Sequence, residues 1–414
     1  MIEIKPNIQN HSTCPYDQTT LKPIEVLWPG LGIYVKTKCD TCQTEFIEAL
    51  RVGHSVRRAY QIDIAKGKHF YQKTNDHWFN WYTDPFLEYL QNPQTESVPI
   101  TKEVFKECKR VIILNCIDNV YGHCLMKLLN AQRHLDSNPD YGLVVIVQTF
   151  KRAMVPDGVA EIWTVDIPLR NGHFYYPNFN QFVTEELKRF AEIYVSKAHS
   201  HPSQFDMTRF SRIPKHNFEN DDFKITYEWR EDRLWCSELL FRTLRKIKLF
   251  KLALLIQNRK VIRLLKILHS KFPEAKFTLT GLGKSTEFPN WIEDCRVDNY
   301  QGSTDKELNQ IYSQSRLVIG VHGSNLMKAS AHAGMTISLI PQRRWYNFAQ
   351  EIIYQENDPR VAAFRYRYVS VETSITEIAT IAYWMIIGYS DFVLDMTGDK
   401  HSSSNDSLTS SSND

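Results

Sequence analysis

Cysteine is scarce in this chain, with eight in 414 residues, too few and too scattered for the disulfide framework of a small secreted domain. A reducing, cytoplasmic setting is therefore expected. Neither sign of charge dominates. Fifty Lys plus Arg against 47 Asp plus Glu leave a net charge of +3, which excludes wholesale wrapping of nucleic acid but permits local basic patches. The opening Met1-Ile-Glu-Ile-Lys-Pro-Asn lacks a charged segment followed by an apolar run, so no secretory leader is expected. Uncharged apolar runs of spanning length are also missing. The nearest candidate, Ile375 to Val393, carries Glu377 and Asp391 and reads as a buried helix.

What is present is ample apolar material, 43% of residues, enough for more than one core. Composition divides the chain into five stretches. Residues 1–55 hold three of the eight cysteines and suggest a small zinc-ribbon-like segment. Residues 56–100 are aromatic and irregular, with His77-Trp78-Phe79-Asn80-Trp81-Tyr82 at their centre. From 101 to 215 strands alternate with helices: Arg110–Asn115, a helix from Tyr121 to Leu135, then Gly142–Gln148. From 216 to 400 the alternation sharpens. Apolar strands are expected at 224–229, 276–280, 296–300, 316–321 and 335–340, with helices at 259–272 and 305–315. Residues 401–414 are rich in Ser, Asn and Asp and predict a disordered tail. Short strands separated by helices predict doubly wound parallel sheets. Two such blocks predict an α/β chain with two Rossmann-like domains facing a cleft.

Three segments carry chemistry-bearing residues at strand ends. In Arg316-Leu-Val-Ile-Gly-Val-His322-Gly323-Ser324-Asn325, an apolar strand runs into a small-residue turn, with a helix expected to open near Ser324. Gly323 permits close backbone approach to a ligand, and His322 and Asn325 add donors where doubly wound sheets bind theirs. An ordinary turn with an N-cap serine is the plainer account. In Tyr227-Glu-Trp-Arg230-Glu-Asp-Arg233, two arginines follow a strand, and guanidinium forks suit the paired oxygens of a diphosphate. A surface ion pair with Glu231 or Asp232 explains that segment more simply. In Asn115-Cys-Ile-Asp118-Asn-Val-Tyr-Gly-His123, a carboxylate and an imidazole fall between strand and helix. Either could take a proton from a hydroxyl, or serve only as helix cap and packed ring.

Taken in order with Asn258-Arg259 and Glu307-Leu-Asn-Gln-Ile-Tyr-Ser, these segments resemble glycosyltransferase family 61 across roughly residues 105–355. That family's late motif runs His-Gly-Ala-Gly-Leu-Thr-Asn. Here Asn325 replaces a glycine and Lys328 an asparagine. The arginine segment also resembles that of fucosyltransferases. The resemblance implies a GT-B arrangement and transfer of a sugar, with inversion, from a nucleotide-diphosphate sugar to a glycan or lipid-linked saccharide. It implies a base at His123 or Asp118, and donor binding by Arg230, Arg233, His322, Gly323, Ser324 and Asn325, with Arg259 at a helix start as a further candidate. No Asp-x-Asp occurs, so no catalytic divalent metal is expected and arginines would neutralise the diphosphate. Rival readings are a GDP-fucose-dependent transferase and a non-enzymatic zinc-ribbon protein binding nucleic acid or another partner. Specific nucleic-acid binding is not expected under the transferase reading.

Two features stand apart. Cys39-Asp-Thr-Cys42 is a metal half-site, and His11-Ser-Thr-Cys14 could complete a tetrahedral zinc set, with His54 in reserve. Asp17 stands where a second upstream cysteine would be expected, so free thiols or a degenerate ribbon remain open. The basic stretch from Arg242 to Lys271 could touch anionic lipid, giving peripheral contact with the cytoplasmic membrane face. Two helices with solvated basic faces account for it more simply.

Overall fold

The computed structural model describes residues 1–56, 60–71, 82–219, 223–246, 249–299, 302–347, 349, 351–354 and 356–398. Most of the aromatic run, His77 to Trp81, and the tail 401–414 lie outside them. The chain forms two compact units, Met1–Phe210 and Ser211–Asp414, whereas composition placed the division after residue 215.

The first unit contains two sheets. A six-stranded sheet has the order Ile2–Lys5, Glu192–Val195, Arg110–Asn115, Gly142–Gln148, Glu161–Val165, Ile100–Val104. Its four inner strands are parallel and both edges are antiparallel. Gly142–Gln148 is buried at every position, as a strand covered on both faces must be. Counted along the chain, the parallel strands run 4-1-2-3. The topological switch therefore falls between Arg110–Asn115 and Glu192–Val195, and the crevice beyond their carboxyl ends is where such sheets bind ligands. The helix expected from Tyr121 to Leu135 is two, Tyr121–Leu128 and Asn130–Ser137.

The second sheet is a five-stranded antiparallel meander running from Lys22–Leu27 to Lys68–Tyr71. The cysteine-bearing segment thus does not end at residue 55. Moreover, its first strand, Ile2–Lys5, belongs to the six-stranded sheet.

The second unit is built on one all-parallel sheet ordered Glu293–Asp294, Lys276–Leu282, Lys224–Arg230, Ser315–Val321, Met335–Ile340, Tyr366–Ser370. In chain order this is 3-2-1-4-5-6, with the switch between Lys224–Arg230 and Ser315–Val321. The strand expected at 296–300 is displaced to Glu293–Asp294. Arg296 instead buries its guanidinium over the Trp229 and Phe288 rings, paired with Asp294 at 2.7 Å. The helix Phe250–Lys271 covers one face through Leu254, Val261, Leu264, Leu265 and Leu268. The terminal helix Ile375–Thr397 is, contrary to the sequence expectation, long and apolar enough to cross a membrane by length and composition. Its Ile378, Ala379, Ala382, Met385 and Tyr389 pack into the core of this unit, and Ser374 caps its start by accepting from Glu377 N.

Candidate functional site

Each switch point carries a cluster of polar side chains. In the first unit Asp118 follows the strand Arg110–Asn115 and is fully buried. Its Oδ1 accepts from the amides of Asn119 and Val120, and His123 Nδ1 lies 3.3 Å from it. Lys127 Nζ lies 2.9 Å and His54 Nε2 2.7 Å from Oδ2. Burial by itself would raise the Asp118 carboxyl. The Lys127 charge, then His54, then the imidazole hydrogen bonds outweigh that and hold it well below the usual carboxylate range. Burial lowers His54 despite the attraction of Asp118, so at neutral pH it is a neutral ring donating from Nε2. His199, from the segment after Glu192–Val195, is exposed and sits 5.2 Å from the His54 ring and 6.5 Å from that of His123.

This geometry separates two residues that the sequence treated as alternatives. Asp118 has its lone pairs engaged and no surface, whereas His123 keeps 28% of its side chain open. With Nδ1–H directed at the carboxylate, His123 Nε2 is left as an acceptor, the arrangement of an oriented general base. His54, Asp118 and His123 also bring three possible metal-ligand atoms within 4.8 Å of one another. The Lys127 ammonium already occupies that carboxylate, and its charge opposes a cation there. His54, Lys127 and His199 were missed as members of this cluster. Two of them approach from segments distant in sequence, and nothing local announces them.

In the second unit a pocket of about 170 Å³ opens at the switch point, lined among others by Arg233, Val321, His322, Pro341, Arg343 and Arg344. Arg233 Nη1 donates to His322 O at 2.8 Å. A Cβ at position 323 would overlap this guanidinium, so a side chain there would push Arg233 away from the His322 carbonyl. Burial first, then the neighbouring Arg230 and Arg344 charges, bring Arg233 down to about 10. Arg233, Arg343 and Arg344 line this pocket, Asp232 at its edge is paired with Arg230, and Arg233 Nε is buried with no hydrogen-bond partner among the described residues, a setting that favours an anion. Asn325 adds to it. Its buried amide faces the Glu228 carboxyl and has no other hydrogen-bond partner among the described residues. His322 Nδ1 is 3.2 Å from Ser338 Oγ and pairs with Glu351.

Other expectations are displaced. Arg230 is held by Asp232 in a two-pronged contact of 2.7 and 2.8 Å, the ion pair foreseen as the simpler account. Arg259 lies midway along Phe250–Lys271 on its exposed side, not at a helix start. The helix after the turn begins at Leu326 and ends at His332, with Asn325 as N-cap, so Ser324 precedes it. Lys328 is buried and bonds Asp305 at 2.9 Å, tying that helix to Thr304–Ser313. Arg343 and Arg344 were missed, although Pro341-Gln-Arg-Arg directly follows an apolar strand and carries the same signal as Arg230 and Arg233.

In the cysteine segment, Cys14, Asp17, Cys39 and Cys42 bring four ligand atoms within 4.8 Å of one another. His11 is exposed and outside that group. The residue completing the set is Asp17, because the loop that carries Cys14 turns back after it and places Asp17, not His11, beside Cys39.

No family model matches the chain, and no curated protein does. Solved structures similar to it include a putative UDP-N-acetylglucosamine 2-epimerase from Listeria monocytogenes, 8% identical over 63% of this chain, with a TM-score of 0.27. The chain spans 62% of that protein's length. A second is the Glycosylation Associate Protein (Gap123) complex from Streptococcus agalactiae, 10% identical over 94% of this chain and 77% of that one, with a TM-score of 0.28. The first name is that of a nucleotide-sugar enzyme and the second that of a glycosylation-associated protein. Likeness at this level defines neither fold nor activity for this chain.

Proposed function

We propose that this chain is a glycosyltransferase that moves a sugar, with inversion, from a nucleoside-diphosphate sugar to a hydroxyl acceptor without a catalytic divalent metal. The observation that carries the reading is the cation cluster of Arg233, Arg343 and Arg344 at the switch point of the second unit. It stands beside the buried Arg233 Nε, a donor with no hydrogen-bond partner among the described residues. Buried donors without acceptors cost free energy unless a ligand supplies them, and a diphosphate supplies both the charge and the oxygens. The resemblance of the strand-end segments to glycosyltransferase family 61 points to the same chemistry, with a GT-B arrangement.

In this reading His123 Nε2 accepts the acceptor's hydroxyl proton as its oxygen attacks the anomeric carbon. The bond from that carbon to the diphosphate oxygen breaks, and the electron pair leaves with the diphosphate, whose growing charge falls to the arginines. Asp118 fixes the orientation of the His123 ring, while Lys127 and His54 keep Asp118 ionised. Asp118 is then a positioning residue and His123 the base. Arg230 orders the loop through Asp232 rather than meeting the donor.

A panel of UDP-, GDP-, CMP- and dTDP-linked sugars, read as thermal stabilisation, tests the assignment. One of them should stabilise the wild type, and the Arg233→Ala variant should lose that response. No stabilisation by any member would overturn the donor site. Stabilisation by GDP-fucose alone would favour the fucosyltransferase variant of the reading.

A further inference from the structure

We infer that the loops Cys14–Thr19 and Cys39–Thr44 form a mononuclear zinc site whose fourth ligand is the carboxylate of Asp17. The inference is independent of the transfer reading. The two loops match position for position. Cys14-Pro-Tyr-Asp17-Gln18-Thr19 and Cys39-Asp-Thr-Cys42-Gln43-Thr44 each open with a cysteine and place a second possible ligand three residues on. Each closes a narrow hairpin, the first across the Thr13–Thr20 bridge and the second across the Lys38–Glu45 pair. The first cysteine of each donates its amide to the carbonyl of the closing threonine, at 2.8 and 3.0 Å. After the second ligand, Gln18 and Gln43 both adopt the left-handed region, at φ of 63° and 58°. Glutamine gains nothing from that conformation. Two such turns side by side are explained by a common demand, that the chain fold back to aim both donors of each loop at one point.

The donor spacing fits an ion. Zinc–sulfur bonds of about 2.3 Å in a tetrahedron put sulfurs about 3.8 Å apart, and a carboxylate oxygen somewhat closer to them. Here Cys14 Sγ and Cys42 Sγ are 3.6 Å apart, and Cys39 Sγ is 3.3 Å from Asp17 Oδ2. The Cys42 amide donates to Cys39 Sγ at 3.4 Å, which fixes that sulfur within the second loop. Thr19 Oγ1 and Thr41 Oγ1, 3.0 Å apart, tie the loops to each other. Beneath them Cys14 and Cys39 are fully buried on a small core of Leu21, Phe46 and Phe70. Asp17 and Cys42 face solvent. The site thus has an inner pair that anchors the ion to the meander and an outer pair, one of them a harder oxygen ligand, open to exchange. Binding releases the thiol protons of the three cysteines to solvent as thiolate–zinc bonds form.

Metal analysis of the full chain purified without chelator, followed by cobalt substitution, tests the site. The wild type should carry about one zinc per chain, and its cobalt form should show thiolate-to-metal charge transfer from three sulfurs. The His11→Ala variant should be unchanged in both. Asp17→Ala should weaken zinc by at least about tenfold. Asp17→Cys should retain the metal and raise the charge-transfer intensity by about a third, as a fourth thiolate joins. It also serves if Asp17→Ala does not fold. A metal-free folded wild type, loss of zinc in His11→Ala, or an Asp17→Cys spectrum identical to that of the wild type would each overturn the assignment.

Discussion

His123 Nδ1 lies 3.3 Å from Asp118 Oδ1, while Lys127 and His54 occupy the other oxygen of the same fully buried carboxylate. One carboxylate is thereby held ionised from one side and spends its charge on orienting a half-open imidazole on the other.

His123→Gln should lower sugar transfer by about a hundredfold or more while leaving nucleotide affinity nearly unchanged, because the lost group is a base and not a diphosphate contact. Initial rates and nucleotide titration on the same preparation check it. Normal transfer by this variant would remove the base assignment.

Asp118→Ala should behave differently. Removing the carboxylate strands the buried Lys127 ammonium, which costs about 3–5 kcal/mol of folding free energy. Denaturant melts should register this loss, whereas His123→Gln should melt close to the wild type.

Arg233→Ala should weaken nucleotide-sugar binding by about ten- to a hundredfold, the cost of about 1.5–3 kcal/mol for a charge-assisted hydrogen bond. Arg230→Ala should do much less, since that guanidinium is already committed to Asp232. Isothermal titration of the two variants distinguishes the roles, and equal losses would contradict the division.

Chelation by EDTA should leave transfer intact as long as circular dichroism shows the fold unchanged, because cations of the protein neutralise the leaving diphosphate. Loss of transfer in folded protein, restored by magnesium or manganese, would contradict a metal-independent reaction.

Stability should fall between pH 6.5 and about 4 in a way that His134 controls. Burial brings this imidazole down to about 4 from 6.5. Its Nε2 is 2.7 Å from Ser196 Oγ, and its Nδ1 is buried without a hydrogen-bond partner among the described residues. Its folded value lies below its unfolded one, so in that window the unfolded chain binds the proton first and the native state loses stability as pH drops. The loss amounts to about 3 kcal/mol at full extent. His134→Gln should flatten the profile of urea midpoints across this range, and an unchanged slope would contradict it.

Much of the fold is legible in local pattern. Arg110–Asn115, Gly142–Gln148, Lys224–Arg230 and Met335–Ile340 form strands where the sequence predicts them, because strands covered on both faces are rich in β-branched, aromatic and other apolar residues. Where the pattern is weak the outcome differs. The segment 296–300 has a single strong apolar residue, and Arg296 leaves the sheet to stack on Trp229.

By itself, then, the sequence determined which strands exist and that His123, Asp118, Arg233 and His322 follow strand ends, because periodicity and turn chemistry act over a few residues. Tertiary structure alone decided which strands became neighbours and so where each sheet switches direction. That ordering brought His54 to Asp118, and Arg343 and Arg344 to Arg233. It also decided that Asp17 rather than His11 joins the cysteines. Such choices depend on how chain segments far apart in sequence pack together and on the burial that packing imposes, and neither is encoded in local spacing.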